Sequence, residues 1–425
     1  MSRSSSVVRK FLCALAVLTA ASAWGVEPLT LAEALRIAVA RSQLRVANEA
    51  AVSAALRMAQ ATYPLPDPVL KLGVDNLPLN GADRFSLTRD FMTMRRVGIM
   101  QELPSAEKRK LRAQRVSADA LKAQAELQMT IANVQRSTAL AWVDRYYALA
   151  LRQLFQEQAE EAKLQAESAE TAYRGARGTQ ADVFAARAAE AALQDRASQL
   201  ERQARNAALM LARWVGPDAE RTPAGAPRLQ TTYLERGLTE DHLRTHPDLA
   251  VAAAQVEAAE ADARVAQANR RPDWTVEANY TQRGPAYSNM ISFGVSIPLP
   301  LDRANRQDQE LAARLAMVDE AKARYEDLLR NHEAEVRVML SDWSNGKERM
   351  ARYARELVPL AHQRVEAALA AYRGGKGDLA SVLMARREAI EVRTQALTLE
   401  METARQWAQL NFLAPAHVAA HQDKP

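Results

Sequence analysis

The chain carries one cysteine, Cys13, inside a short apolar run near its start. "MSRSSSVVRK" is positive, "FLCALAVLTAA" is apolar and "ASAWG" supplies small residues, so residues 1–25 read as a secretory signal cut after Ala23 or Gly25. Leu12 is too large for a lipoprotein cleavage site, so no lipid anchor is expected. The exported chain would hold no cysteine, which excludes disulfides and thiolate-ligated metals. Aromatics supply 5% of the residues, and most of the 48% apolar content is small and aliphatic, alanine above all. Alanine forms helix at the least entropic cost, so long packed helices are expected rather than a thick globular core. Outside the signal, no stretch has the roughly 20 apolar residues of a membrane-spanning helix. If the chain crosses a membrane, it does so as a β-barrel. Removing Arg3, Arg9 and Lys10 takes the net charge from +5 to +2, which gives no reason to expect a nucleic-acid partner.

Proline and glycine are scarce over long distances. No proline lies between Pro104 and Pro217, and Pro359 is the only one between Leu301 and Ala414. Ser105 to Arg174 alone predicts a helix about 105 Å long at about 1.5 Å per residue, and hence coiled-coil packing. Between these stretches the period changes. In "WTVEANYT", Trp274, Val276, Ala278 and Tyr280 alternate with Thr275, Glu277, Asn279 and Thr281, and "ISFGVSIP" and "VLKLGVD" alternate likewise. "RVGIMQELP" is less regular, with Val97 and Ile99 on one side. Strict alternation predicts half-buried strands.

The same order occurs twice. "AYRGARGTQADVFAAR" from Ala172 and "AYRGGKGDLASVLMAR" from Ala371 agree at nine of sixteen positions. The expected plan is a first repeat over 26–215, with strands at about 68–77 and 92–103 and a hairpin tip at 173–183. A linker follows over 216–240. The second repeat runs over 241–413, with strands at about 273–282 and 289–299 and a tip at 372–382, before a flexible tail over 414–425. Four strands per chain are too few to close a membrane barrel, which takes about eight. Several chains must pool strands, with Lys71, Asp75, Glu277 and Asn279 lining a wet lumen. Gly178 and Gly377 are placed to take the positive φ that ends a helix, and Thr179 and Asp378 to cap the next one.

The whole span after the signal resembles the TolC outer-membrane efflux family. That family's turn pattern is met here by Tyr173, Thr179, Asp182, Val183 and Phe184, and again by Tyr372, Gly375, Asp378, Val382 and Leu383. Ala176 and Ser381 depart from it. The resemblance implies a mainly α fold with a small β part. The duplicated helix–strand–strand–helix repeat would form a trimeric 12-stranded outer-membrane β-barrel, continued by a long periplasmic α-helical coiled-coil barrel. It implies a homotrimer in outer-membrane lipid that works with a periplasmic membrane-fusion adaptor and an inner-membrane resistance–nodulation–division pump. The adaptor would dock on the tips, at Tyr173, Arg174, Gly175, Gly178, Thr179, Tyr372, Gly375, Gly377 and Asp378, with Asp182 as a candidate gate. "DNLPLNGADRFSLTRDFMTMRRVGIMQELP" (Asp75 to Pro104) and the second tip look most like the subgroup exporting heavy metals, of the cobalt–zinc–cadmium or copper–silver kind.

Each of these sites has a plainer reading. The tip glycines and caps are ordinary turn chemistry, although that does not explain two copies with the same flanks. Arg174, Arg177, Arg373 and Lys376 can merely complement helix C-terminal dipoles, and Asp182 can be a solvated first-turn carboxylate. Met92 and Met94 can be soft-metal ligands, but methionine is also a common apolar filler. His242 and His246 share helical spacing, yet Pro247 is expected to end any helix there, so no stored metal is expected. Trp274, Tyr280 and Tyr287 fit an interfacial aromatic girdle. "YRGARG" is too isolated, in an exported chain, to indicate RNA. No nucleophile elbow, Walker loop or His-Glu-x-x-His occurs, so neither enzyme activity nor a cofactor is expected. The alternatives are a channel for drugs and dyes or for type I protein secretion, and a periplasmic structural coiled coil without a pore.

Overall fold

The computed structural model describes residues 27–232, 234 and 246–414. The expected signal, His242 and all of the expected tail but Ala414 lie outside them. The described residues form α1 (Leu31–Arg41), α2 (Gln43–Thr62), β1 (Val69–Asp75), β2 (Met94–Leu103), α3 (Ala106–Arg174) and α4 (Gln180–Val215). Then come α5 (Pro247–Asn269), β3 (Trp274–Gln282), β4 (Met290–Ser296), α6 (Gln307–Arg352), α7 (Val358–Arg373) and α8 (Leu379–Asn411). Helix α3 runs 69 residues with no proline or glycine. Pro104 bars it from starting earlier, and the Ser105 hydroxyl accepts the Lys108 N–H at 3.2 Å. Ser42 separates α1 from α2 and caps the second through the Arg45 N–H. Between α6 and α7 lies a π-helical turn, Tyr353–Leu357. Pro359, which has no N–H to give, lies two residues past its end, at the second position of α7.

The chain divides into two compact units. One contains α1 to Ile37, Ala141–Pro227 and Leu360–Leu397. Its centre is Trp142, 1% exposed, whose indole N–H donates to the Leu29 carbonyl at 3.0 Å. Leu29 is held in turn by the stretch after the 3₁₀ turn Gly216–Glu220, through Thr222 and Ala224. Leu154, Phe155 and Leu200 form a further apolar cluster.

The other unit contains Ala38–Leu140, Arg228–Pro359 and the chain from Thr398. Trp343 donates its indole N–H to the Leu229 carbonyl at 3.1 Å, and packs with Leu234, Val336, Leu410 and Leu413. The two repeats thus place a tryptophan on a leucine carbonyl in the same way. Gly346 lies where a Cβ would come 2.4 Å from Thr403 Oγ1, so its missing side chain lets two helices close together. The segment after Gly216, expected as a linker, contributes buried Leu229 and Leu234. Ala414, expected in the flexible tail, is also buried.

This second unit carries one antiparallel sheet in the order β1-β2-β3-β4. The second strand of the first repeat therefore pairs with the first strand of the second. β4 stops at Ser296 rather than near 299, because Pro298 and Pro300 lack ladder donors. Beneath the sheet, Asp273 joins Lys108 at 2.7 Å and Arg112 at 3.2 Å, which fixes the start of α3 against the start of β3.

Candidate functional site

The sheet has its apolar side out. Register places Leu72, Val97, Tyr280 and Ile291 in one row across the four strands, and Leu70, Ile99, Ala278 and Phe293 in the next. Leu72 is 70% exposed and Phe293 83%. No water-soluble sheet of this size gains by wetting such a face, and among the described residues the outer edges of β1 and β4 are unpaired. The ten residues of β2, at about 3.3 Å each and tilted about 40°, cover about 25 Å, the height of the apolar band of a membrane barrel. Trp274 and Tyr280 stand on this face towards opposite ends of β3, and Tyr287 lies in the β3–β4 loop beneath the Arg283 guanidinium. Among the described residues no helix is long and apolar enough to cross a membrane.

The opposite face is polar and more enclosed. It holds all four expected lumen residues. Lys71 pairs with Glu277 at 2.7 Å, Asp75 with Arg96 at 3.3 Å, and Asn279 is 7% exposed. Sequence reasoning missed how these side chains find room. Three of the four strands carry a glycine on this face. A Cβ on Gly98 would sit 2.0 Å from Asn279 Oδ1, and one on Gly294 would sit 2.9 Å from Glu277 Cγ. Gly73 is likewise overlain by Arg96. The polar side chains lie over their glycine neighbours, which leave them room. The pattern was visible in "KLG", "VGI" and "FGV", but only cross-strand register shows which side chain each glycine admits.

The two hairpin turns share one design. In the first, the Arg177 N–H reaches the Ala172 carbonyl at 2.8 Å and the Ala176 N–H the Tyr173 carbonyl at 3.0 Å. In the second, Lys376 reaches Ala371 at 2.9 Å and Gly375 reaches Tyr372 at 3.1 Å. This is the Schellman ending, in which backbone N–H groups close the last carbonyls. The left-handed residues are Ala176 and Gly375, with φ of 54° and 67°, and not Gly178 and Gly377 as expected. The chain reverses two residues before those glycines. Gly377 serves close approach instead, since its Cβ would come 3.2 Å from that of Ala371, while the matching distance from Gly178 to Ala172, 3.4 Å, is ordinary contact.

Thr179 caps α4 in a reciprocal box. Its hydroxyl accepts the Asp182 N–H at 3.1 Å, while the Asp182 carboxylate accepts the Thr179 N–H at 2.9 Å. Asp182, named as a candidate gate, thus has its carboxylate engaged within its own turn. Asp378 caps α8 by accepting the Ser381 N–H at 2.8 Å. The Ser381 hydroxyl and N–H both bond the Asp378 carboxylate and hold it below the usual carboxylate range. Ala166, Ala169, Val183 and Ala186 of the first hairpin pack with Leu379 and Val382 of the second, and Tyr372 lies against them. Tyr173, Arg174 and Gly175 are exposed.

The histidine reading changes. Pro247 opens α5 at its first turn, a position where proline's missing N–H costs nothing, rather than ending a helix. His246 caps that helix with Nδ1 on the Asp248 N–H at 3.3 Å, and its ring lies 3.7 Å from that of His332. Burial drives its pKa down to about 3, with His332 and Arg136 adding to the effect. Burial lowers His332 as well, against the opposing pull of Asp248 and Glu335. Met92 is exposed, and Met94, the first residue of β2, pairs with Asp75, the last of β1. Among the described residues no group of three histidine, cysteine, aspartate or glutamate side chains can hold a metal.

The outer membrane efflux protein family model matches residues 238–414. The match covers most of the second repeat. The fold extends the likeness to nearly the whole chain. The outer-membrane channel OprN superposes with a TM-score of 0.77 at 21% identity, covering 91% of this chain and 90% of that one. CusC, described in a study of transmembrane channel formation, gives 0.75 at 17% over 90% and 92%. The outer membrane protein VceC of Vibrio cholerae gives 0.73 at 18% over 90% and 95%. No curated protein sequence matches the chain. The fold is therefore the one shared by OprN, CusC and VceC, mainly helical with four antiparallel strands among the described residues.

Proposed function

We propose that three copies of this chain close a twelve-stranded barrel and form the outer-membrane duct of a tripartite efflux system. The observation that carries this reading is the sheet with an exposed apolar face, a charged opposite face and two edges unpaired among the described residues. A single copy leaves those edges bare, which is costly in lipid. Three copies pair each β4 with the next copy's β1. The Lys71–Glu277 and Asp75–Arg96 pairs then line the lumen. The duplicated tips are its docking surface for a periplasmic adaptor, and energy comes from an inner-membrane pump. Asp182 stands on that surface as a gate candidate.

For cargo we propose heavy-metal cations. The support is the resemblance of Asp75 to Pro104, and of the second tip, to the metal-exporting subgroup. Growth of a deletion strain on zinc, cadmium, cobalt, copper and silver, beside dyes and antibiotics, tests it. The expected result is sensitivity to metals alone, restored by the intact gene. Sensitivity only to organic compounds moves the cargo to drugs and leaves the duct in place.

A further inference from the structure

We infer that the partner surface received by the hairpin tips is acidic. This rests on the reading of the tips as a docking surface and adds the chemistry of what docks there. The two turns carry four exposed cations, Arg174, Arg177, Arg373 and Lys376. Arg177, Arg373 and Lys376 make no ion pair or side-chain hydrogen bond among the described residues. Arg174 has only a loose contact with Glu170 at 3.6 Å, and Glu170 is already bound by Arg187.

A basic residue at a helix end ordinarily serves the free carbonyls there. At both tips the Schellman bonds have closed those carbonyls with backbone N–H groups, so the cations are not used that way. Nor are they neutralised by their neighbours. Asp182 and Asp378 sit within the same turns, and both spend their carboxylates on caps. The capping carboxylates are fixed inward to the backbone while the cations stay free on flexible stems. Lysine at 376 stands where arginine stands at 177, so charge rather than guanidinium geometry is what the two copies share. Unpaired charges of one sign on a packed apolar platform suit a complementary surface, which they would attract from about a Debye length away.

The test uses the intact channel in detergent and two synthetic helical hairpins, identical except for four turn positions that are glutamate in one and glutamine in the other. The glutamate hairpin is expected to bind about tenfold more tightly at 50 mM salt, with most of that preference gone at 300 mM. The preference should vanish in Arg174→Gln/Arg177→Gln/Arg373→Gln/Lys376→Gln and persist when the three arginines are replaced by lysine. Equal binding of the two hairpins, binding of neither, or a preference that survives the four-glutamine variant overturns the inference. A channel that conducts and restores growth but shows no glutamate preference removes this inference alone. A chain that forms no conducting channel removes the reading beneath it.

Discussion

Ala176 and Gly375 hold the same left-handed position in the two hairpin turns, at φ 54° and 67°. An alanine there crowds its own Cβ against the following carbonyl, which costs about 1 kcal/mol relative to glycine. Ala176→Gly is therefore expected to stabilise the first hairpin by about that amount, and Gly375→Ala to weaken the second equally. Amide exchange at the two turns checks this. Faster exchange around residue 176 in Ala176→Gly would contradict it.

Thr179→Ala removes half of the capping box on α4. The expected cost is about 1 kcal/mol, confined to the first hairpin. Thr179→Ser keeps the acceptor and should recover most of it. A loss that Ser does not recover would mean that the threonine methyl, not its hydroxyl, is what matters.

On the polar face, Glu277→Gln leaves Lys71 without its carboxylate. In planar bilayers the channel should shift measurably towards anion selectivity, with little change in single-channel conductance. Lys71→Gln should shift it the other way. No change in either variant would place this pair outside the ion path.

His246 is neutral when folded and takes up its proton only near pH 3, against an ordinary value near 6.5. The unfolded chain binds that proton first, so stability is full above about pH 6.5 and declines as pH falls towards about 3. His246→Asn keeps a capping side chain and removes the titration. Its unfolding midpoint should fall less than that of wild type between pH 6.5 and 4, as read by thermal melts. Parallel curves would show that other groups dominate acid sensitivity.

Most of the architecture was legible because two periods are hard to confuse. Trp274 to Thr281 alternates strictly, and Ala106 to Arg174 has nothing to stop a helix. The chemistry of the tips was legible in kind, since Thr179 and Asp378 are good caps. Which residue turned left-handed was not, because an alanine at 176 hid the position that Gly375 displays openly. The polar face was half legible. Alternation put Lys71 and Glu277 on the same side, but the pairing of Gly98 with Asn279 depends on register between strands from different repeats. The Trp142–Leu29 and Trp343–Leu229 bonds join residues more than a hundred positions apart. His246 and His332, 86 positions apart, also meet, and no local pattern marks such contacts.

The central claim is that three copies share one barrel, and the β1 and β4 edges test it most directly. In a Cys13→Ser background, Leu72→Cys on β1 is combined in turn with Ile291→Cys, Phe293→Cys and Val295→Cys on β4. Oxidised outer membranes are then run on denaturing gels. A covalent species of three chains is predicted from at least one pair, and none from either single cysteine. Monomers alone from every pair, in a protein that still folds and reaches the outer membrane, would contradict the shared barrel.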